Sequence, residues 1–301
     1  MSQAKAHAAA QGVVAFPFFQ ALPPRAGVGL KAQHARALIE QRPNIGFLEI
    51  HAENYMGDGG PPHAQLAALR ALYPLSVHGV GLSIGGEGPL DEDHLDRLAR
   101  VIARYQPQSF SEHLAWSTHE DRYLNDLLPI VYDRTTLTRV CDHVDRAQER
   151  LGLRMLIENP STYVAFSASS FSEEEFIGEL VARTGCGLLL DVSNVVVSCA
   201  NHGRDPFAYL AGLPLSQVGE MHLGGYARET DSLGAPLLID NHGGPIEQSV
   251  WPLYIEAVRR CGPQPTLIEW DNDVPELGRL LQEAAKADAA ARAALRGGRA
   301  A

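Results

Sequence analysis

Short apolar runs recur along this chain at intervals that leave room for one helix between each and the next. This alternation limits the fold more than any other feature. The runs are GVGL (27–30), FLEI (47–50), LSVHG (75–79), SFSEH (109–113), MLIEN (155–159), LLLDV (188–192), GEMHL (219–223) and TLIEW (266–270). Helical patterns follow them: KAQHARALIEQ, HAQLAALRAL, DEDHLDRLARVIARY, DRTTLTRVCDHVDRAQERLG, SEEEFIGELVART, DPFAYLAGL, EQSVWPLYIEAVRRCG and DVPELGRLLQEAAKADAAARAAL. The third starts with acidic residues, which suits the positive end of a helix. The fourth stops at Gly152, a common helix terminator. Ser172 and Glu175 in the fifth are spaced as a capping box. Eight strands alternating with eight helices predict an α/β chain of (β/α)8 TIM-barrel type. An open doubly wound sheet is the alternative, but no G-x-G-x-x-G follows the first strand.

On this reading residues 1–24 form an N-terminal extension, 25–282 the barrel, and 283–301 an Ala- and Arg-rich tail that begins helical and then frays. Segments 114–132 and 224–246 are poor in helix signals, and loops of that length are usually functional. A chain of 301 residues with 45% hydrophobic and 20% charged residues buries a large core. The formal charge of −11 gives no general attraction to phosphate backbones, so nucleic acid is not an expected partner. Cysteines 141, 186, 199 and 261 form no C-x-x-C pair and read as reduced, buried thiols of a cytoplasmic protein. No run approaches the ~20 apolar residues that span a bilayer. GVVAFPFFQALPP is broken by prolines and is not read as a signal peptide.

Barrel enzymes place their chemistry at the C-terminal ends of the strands. There the sequence puts His51, then Glu53 and Asn54; His78; Glu112 and His113; Glu158 and Asn159; Asp191, then Asn194; His222; and Glu269, then Asp271. The long loop after the seventh strand adds Asp240 and His242 in IDNHGGPI, and Gly243 and Gly244 are expected to allow its tight exit. Any one of these residues also reads as a strand stop or a cap. Carboxylates and imidazoles on seven strands of one barrel would repel one another or stay unsatisfied, and cations resolve that. The candidates outnumber the three or four ligands of a single zinc, and none is a thiolate. Such a set suits iron, manganese or zinc, with carboxylates bridging neighbouring ions. Trp116, His119 and Tyr123 in 114–132 read equally as channel lining and as rim packing.

The set Glu158, Asp191, His222, Asp240 with His242, and Glu269 resembles that of the xylose isomerase-like barrels, including the endonuclease IV group. The motifs GVGLKAQH, FLEIHAENYMG, LSVHGVGLSIGG, SEHLAWS, LIENPSTY, LLLDVSNVVVSCANHG, EMHLGGY, IDNHGGPI and LIEWD, in this order, more closely resemble the multinuclear non-haem iron-dependent oxidative enzymes. That group includes the oxidase of methanobactin biosynthesis. The resemblance spans about residues 27–275. It implies two or three irons, ferrous and ferric together, with O2 as co-substrate. The implied substrate is a cysteine of a ribosomally made precursor peptide, often presented by a small leader-binding partner protein. Carried over by position, the implied ligands are His51, His78, Glu112, Glu158, Asp191, Asn194, His222, Asp240, His242 and Glu269, with Asp191, Asp240 and His242 at the centre of catalysis. Asn159 would be either a further ligand or the residue that orients Glu158, and Glu53, Asn54, His113 and Asp271 would position ligands. The competing readings are a zinc-dependent abasic-site endonuclease, a manganese or magnesium sugar isomerase or epimerase, and a non-catalytic metal-binding module. The acidic charge and Asn194, where a histidine would be expected, count against the first. The absence of lysine between Lys31 and Lys286 counts against the second.

Overall fold

The computed structural model describes residues 21–119 and 122–297; residues 1–20 of the expected N-terminal extension lie outside it. The strands are β1 (Ala26–Gly29), β2 (Leu48–His51), β3 (Leu75–Gly79), β4 (Ser109–His113), β5 (Trp116–His119), β6 (Arg122–Leu128), β7 (Leu156–Glu158), β8 (Gly187–Asp191), β9 (Val218–Gly224), β10 (Ala227–Thr230), β11 (Pro236–Ile239) and β12 (Thr266–Glu269). The helices are α1 (Ala35–Gln41), α2 (Pro61–Arg70), α3 (Glu92–Tyr105), α4 (Arg134–Leu151), α5 (Glu173–Thr184), α6 (Val192–His202), α7 (Pro206–Gly212), α8 (Val250–Cys261) and α9 (Leu277–Gly297). Eight strands close a barrel in the order β1-β12-β9-β8-β7-β4-β3-β2, with every pairing parallel. These are the eight apolar runs of the sequence.

Pleating decides which residues meet inside, because side chains two apart on a strand share a face. Phe110, Ile157, Leu188, Leu190, Met221, Leu223 and Ile268 are buried between the strands and the helices. The alternate positions face the axis. Their register sets His51 beside His78, His113 beside Glu158, and Asp191 beside His222 at the C-terminal end of the barrel. Helix signals act locally as expected: Ser172 and Glu175 form a reciprocal capping box, and Gly152 closes α4 at φ 67°.

Three differences from the sequence expectation have physical causes. The two long loops each hold an antiparallel hairpin, β5–β6 and β10–β11. Strand β6 is exposed almost throughout, so it carries no burial pattern. The helix after β8 starts at once, as α6, because Asp191 caps it and Gly203 ends it; DPFAYLAGL supplies only the short α7 that follows. The valine run 195–197 looks strand-like, yet it is buried in that helix. Finally, residue 282 marks no break. Helix α9 continues to Gly297, buries Glu283, Ala284, Ala287 and Ala294, and fixes the start of β1 through Asp288, which accepts from the Ala26 amide at 2.8 Å.

One buried acid outside the barrel mouth gives a stability prediction. Glu173 opens α5 and accepts hydrogen bonds from Tyr132 Oη (2.8 Å) and Tyr209 Oη. Burial pushes its carboxyl up from 4.5 to about 7, against the pull of the two tyrosine hydroxyls. Between these values the folded chain holds a proton that the unfolded chain releases. The resulting stability is fully present below about pH 4.5 and is lost as pH rises through 7, on the order of 3 kcal/mol in all. Glu173→Gln should therefore flatten the fall in urea midpoint between pH 5 and 8. An unchanged slope would show that Glu173 is ionised throughout.

Candidate metal centre

The tightest part of the mouth is a triangle. His78 Nε2, His113 Nε2 and Glu158 Oε2 stand 3.3 Å from one another, all on buried or nearly buried side chains. The centre of such a triangle lies about 1.9 Å (3.3/√3) from each corner, close to metal–nitrogen and metal–carboxylate distances of ~2.0–2.2 Å. The imidazole of His78 is aimed there by Ser111 Oγ, 2.8 Å from Nδ1.

The other half is built around Asp191, His222, Glu269, Asp240 and His242. Donor atoms of Glu158, Asp191 and His222 lie within 4.8 Å of one another, as do those of Asp191, His242 and Glu269, and those of His51, Glu269 and Asp271. Glu158, Asp191 and Glu269 each belong to more than one such group. His222 Nδ1 is 3.1 Å from Glu269 Oε2, while its Nε2 is 3.3 Å from Glu49 Oε2, deeper in the barrel. His242 Nε2 and Asp240 Oδ1 are 2.8 Å apart. Neither atom has a hydrogen-bond partner, which is the geometry of two donors facing a common third body. Glu158 Oε2, Asp191 Oδ2 and Asn194 Oδ1 are likewise buried without partners. Orphaned buried oxygens of this kind are costly unless a cation satisfies them.

Electrostatics point the same way. Burial, and then the neighbouring carboxylates Glu158 and Asp240, push the Asp191 carboxyl far above the usual range. Burial raises Glu158 to about 7, even against His113. Burial would lower His113, but Glu158 and Glu112 outweigh it and hold the imidazole at about 9. Burial and the nearby His113 and His222 imidazoles depress His78. Burial opposes ionisation of Glu269, but His242 and His222 overcome it and hold this carboxyl well below the ordinary value.

The ligand loop is strained where it delivers its imidazole. The left-handed residue is His242 itself (φ 45°), whereas Gly243 and Gly244 lie outside the left-handed region, so the expected role of those glycines is not what turns the chain. Backbone bonds hold the strain: His242 N donates to Gly225 O (3.0 Å), and His242 O accepts from Asp271 N (2.9 Å) and Asn272 N (3.1 Å). The glycine that matters lies on β9. A Cβ on Gly224 would stand 2.6 Å from His242 Cδ2. Gly224→Ala should therefore displace this imidazole and lower the content of bound ion while the barrel stays folded. Native circular dichroism with full ion content would mean that His242 is not needed to hold it.

The structure also separates residues that the sequence put side by side. Glu112 does not join the cluster. On β4, Ser111 and His113 face the axis, so Glu112 points outward over Gly79, where it accepts from the Leu82 amide at 3.3 Å. His113, expected to play a positioning part, stands in the triangle instead. Asn159 pairs with the Asp191 backbone in both directions (2.9 and 3.0 Å) and so fixes Asp191 rather than Glu158. Asn194 donates to Glu158 Oε1 (3.3 Å) and leaves its own Oδ1 free. Glu53 secures the loop after β3 through the Val80 and Gly81 amides (3.1 and 2.9 Å). His51 lies at the edge of the mouth, 3.5 Å from Asp271, which also pairs with Lys31. Two pockets open here. One, of about 200 Å³, is walled by His78, His113, Glu158, Asp240, His242 and Leu127 among others. The other, of about 160 Å³, reaches Lys31, Asn54 and Glu49. Trp116 is tied to Pro129 O, and neither it, His119 nor Tyr123 walls either pocket. Glu49, two residues before His51 on β2 and so on the same inward face, is the partner of His222.

A family model described as RiPP precursor modification enzyme MbnB/TglH/ChrH matches residues 25–292. The UPF0276 protein of Bordetella pertussis is 56% identical over 268 residues, covering 89% of this chain and 93% of that protein. A UPF0276 protein of Rhizobium meliloti is 49% identical over 271 residues, covering 89% and 88%. Among solved structures, endonuclease IV from Thermus thermophilus matches with a TM-score of 0.57 at 20% identity, over 91% of this chain and all of that one (100%). A xylose isomerase-like TIM barrel protein from Mycobacterium smegmatis in complex with magnesium matches with a TM-score of 0.58 at 13% identity, over 87% and 89%. At such identities the structures speak for the fold alone, a xylose isomerase-like TIM barrel. The family match covers nearly the whole described barrel, and the chain therefore belongs to the RiPP precursor modification enzymes of the MbnB/TglH/ChrH family, which act on ribosomally made precursor peptides.

Proposed function

We propose that this chain is a multinuclear non-haem iron oxidase that uses O2 to modify cysteine residues of its precursor peptide, in the cytoplasm and with a small leader-binding partner protein. The observation that carries the reading is the donor set: buried imidazoles and carboxylates, no thiolate, and carboxylates shared between neighbouring groups of donors. That chemistry fits two or three iron ions better than one zinc. Iron held there would supply redox electrons and open coordination positions for O2 and a substrate thiolate.

The chain's own residues do the rest. His78, His113 and Glu158 would hold one ion; Asp191, His222, Glu269, Asp240 and His242 would hold the others, with Asn194 and His51 at the margins. Ser111 aims His78, Glu49 aims His222, and Asn159 fixes the end of β8. Val80, Leu127 and Pro160 in the cavity wall narrow the access of water.

The test is co-expression with any short cysteine-containing peptide, and any small partner protein, found encoded beside this gene, followed by mass spectrometry of the peptide. A mass change at cysteine that requires both iron and O2 is expected. If the iron-loaded protein leaves every cysteine intact, the reading is wrong, and zinc-dependent cleavage of abasic DNA would put the nuclease reading in its place.

A further inference from the structure

We propose that the free edge of the β5–β6 hairpin takes the substrate peptide as an added strand and leads it into the metal mouth. This rests on the peptide-modifying reading above and names the surface that serves it.

The hairpin is a two-stranded sheet outside the barrel. Strand β5 covers one edge of β6, through Trp116↔Leu128, Thr118↔Tyr123 and His119↔Arg122. The register shifts between Trp116 and Thr118, so residues 124–127 bulge out opposite Ser117 alone and stand outside the regular ladder. Among the described residues, the outer edge of β6 has no backbone partner. Unpaired strand edges are normally guarded by charged residues, proline, a bulge or a covering element, because they recruit other chains. Here residues 122–128 contain no proline, their charges are confined to Arg122 and Asp126, whose Oδ1 accepts from the Leu127 amide (2.8 Å), and Tyr123, Leu124 and Leu127 are exposed at 57%, 37% and 37%.

This edge is also held in place. Ser83 Oγ accepts from the Ser117 and Thr118 amides (3.0 and 3.1 Å), Gly85 N donates to Ala115 O (2.9 Å), and Trp116 Nε1 donates to Pro129 O (2.8 Å). The inner strand is thereby anchored to the loop after β3, and the outer strand is presented ready-formed. Pre-organisation of this kind lowers the ordering cost of binding.

The edge leads to the chemistry. Leu127 lies both on β6 and in the wall of the cavity that holds His78, His113 and Glu158. Pro160 and Ser161 also line that cavity, and the loop they begin exposes Tyr163, Val164 and Phe166. A row of alternating backbone donors and acceptors matches an extended polypeptide and neither a sugar nor a nucleic acid. Strand addition is a recurrent mode of peptide capture, with affinity from the main chain and specificity from alternate side chains. A cysteine on the inward face of the added strand would point into the mouth, and residues two away would share that face.

Hydrogen exchange on the iron-loaded full chain tests this, with a cysteine-containing precursor peptide added or left out and any partner protein present in both arms. Protection of amides 122–128 by about tenfold or more is expected, with β10 amides 227–230 unchanged. Asn125→Pro removes one edge amide at a position outside the β5 ladder. It should raise KM about tenfold or more while ion content and Tm stay at wild-type values. If the peptide is modified, yet 122–128 exchange as before and Asn125→Pro has the wild-type KM, the strand proposal is overturned and the proposed function stands. If the peptide is neither bound nor modified, the functional reading falls and takes this one with it. Protection that instead appears on concentrating the chain alone, with a dimer mass, would assign the edge to a second copy and overturn the proposal.

Discussion

Asp191→Asn is expected to give a folded barrel that binds fewer ions and modifies the precursor peptide ~100-fold or more slowly. Changes to residues that merely support a ligand already cost 10–100-fold, so a ligand shared between two groups of donors should cost at least that. Asp191 is fully buried and its two oxygens have separate tasks. Oδ1 accepts from the Asn194 amide at 2.7 Å and caps α6; Oδ2 has no partner in the chain and faces the cluster. Asparagine keeps the capping oxygen and the volume, so the ion-free variant should melt within a few degrees of the ion-free wild type. Asp191→Ala also loses the cap, worth about 1 kcal/mol, and should melt lower with the same failure on the peptide. Elemental analysis, thermal melts and peptide mass spectrometry separate these effects. Full ion content with wild-type turnover in Asp191→Asn would remove this residue from the centre.

The second large effect is a contrast between neighbours. His113→Ala should lose the ion of the His78–His113–Glu158 triangle and nearly all activity, again ~100-fold or more. Glu112→Gln should keep every ion, because Glu112 faces outward and gives no donor atom to the cluster: it braces the loop after β3 through the Leu82 amide and stands behind His113, 3.8 Å from Nδ1, where glutamine keeps an accepting oxygen. Its effect on activity should be far smaller than that of His113→Ala. The two variants, measured together for ion content, decide which residue of SEH is the ligand. Loss of ion in Glu112→Gln alone would reverse the assignment.

That contrast also shows where the sequence stops being legible. The barrel could be read because parallel strands covered on both faces become continuous apolar runs, and eight of them stand out between amphipathic helices. The same feature hides the pleat. SFSEH does not alternate cleanly between polar and apolar, so nothing in it says whether Glu112 or His113 faces the axis; the pairing of Ser111 with His78 settles that only in three dimensions. The β5–β6 hairpin escaped for the opposite reason, since an exposed strand leaves no hydrophobic period. In IDNHGGPI the two glycines are the obvious turn formers, but the left-handed turn falls on His242, where hydrogen bonds from distant residues outweigh local preference. The tie between Glu49 and His222 joins strands far apart in the chain, and spacing along a sequence carries no trace of it.

Glu158, Asp191 and Glu269 each serve more than one group of donors, and this has a consequence for how the centre fills. An ion that arrives first fixes carboxylates which its neighbour also needs, and it removes the mutual repulsion that the neighbour would otherwise meet. Loading is therefore expected to be cooperative. A preparation that averages one ion per chain should be largely a mixture of empty and fully charged molecules, so its bulk stoichiometry would understate the nuclearity of every molecule that works.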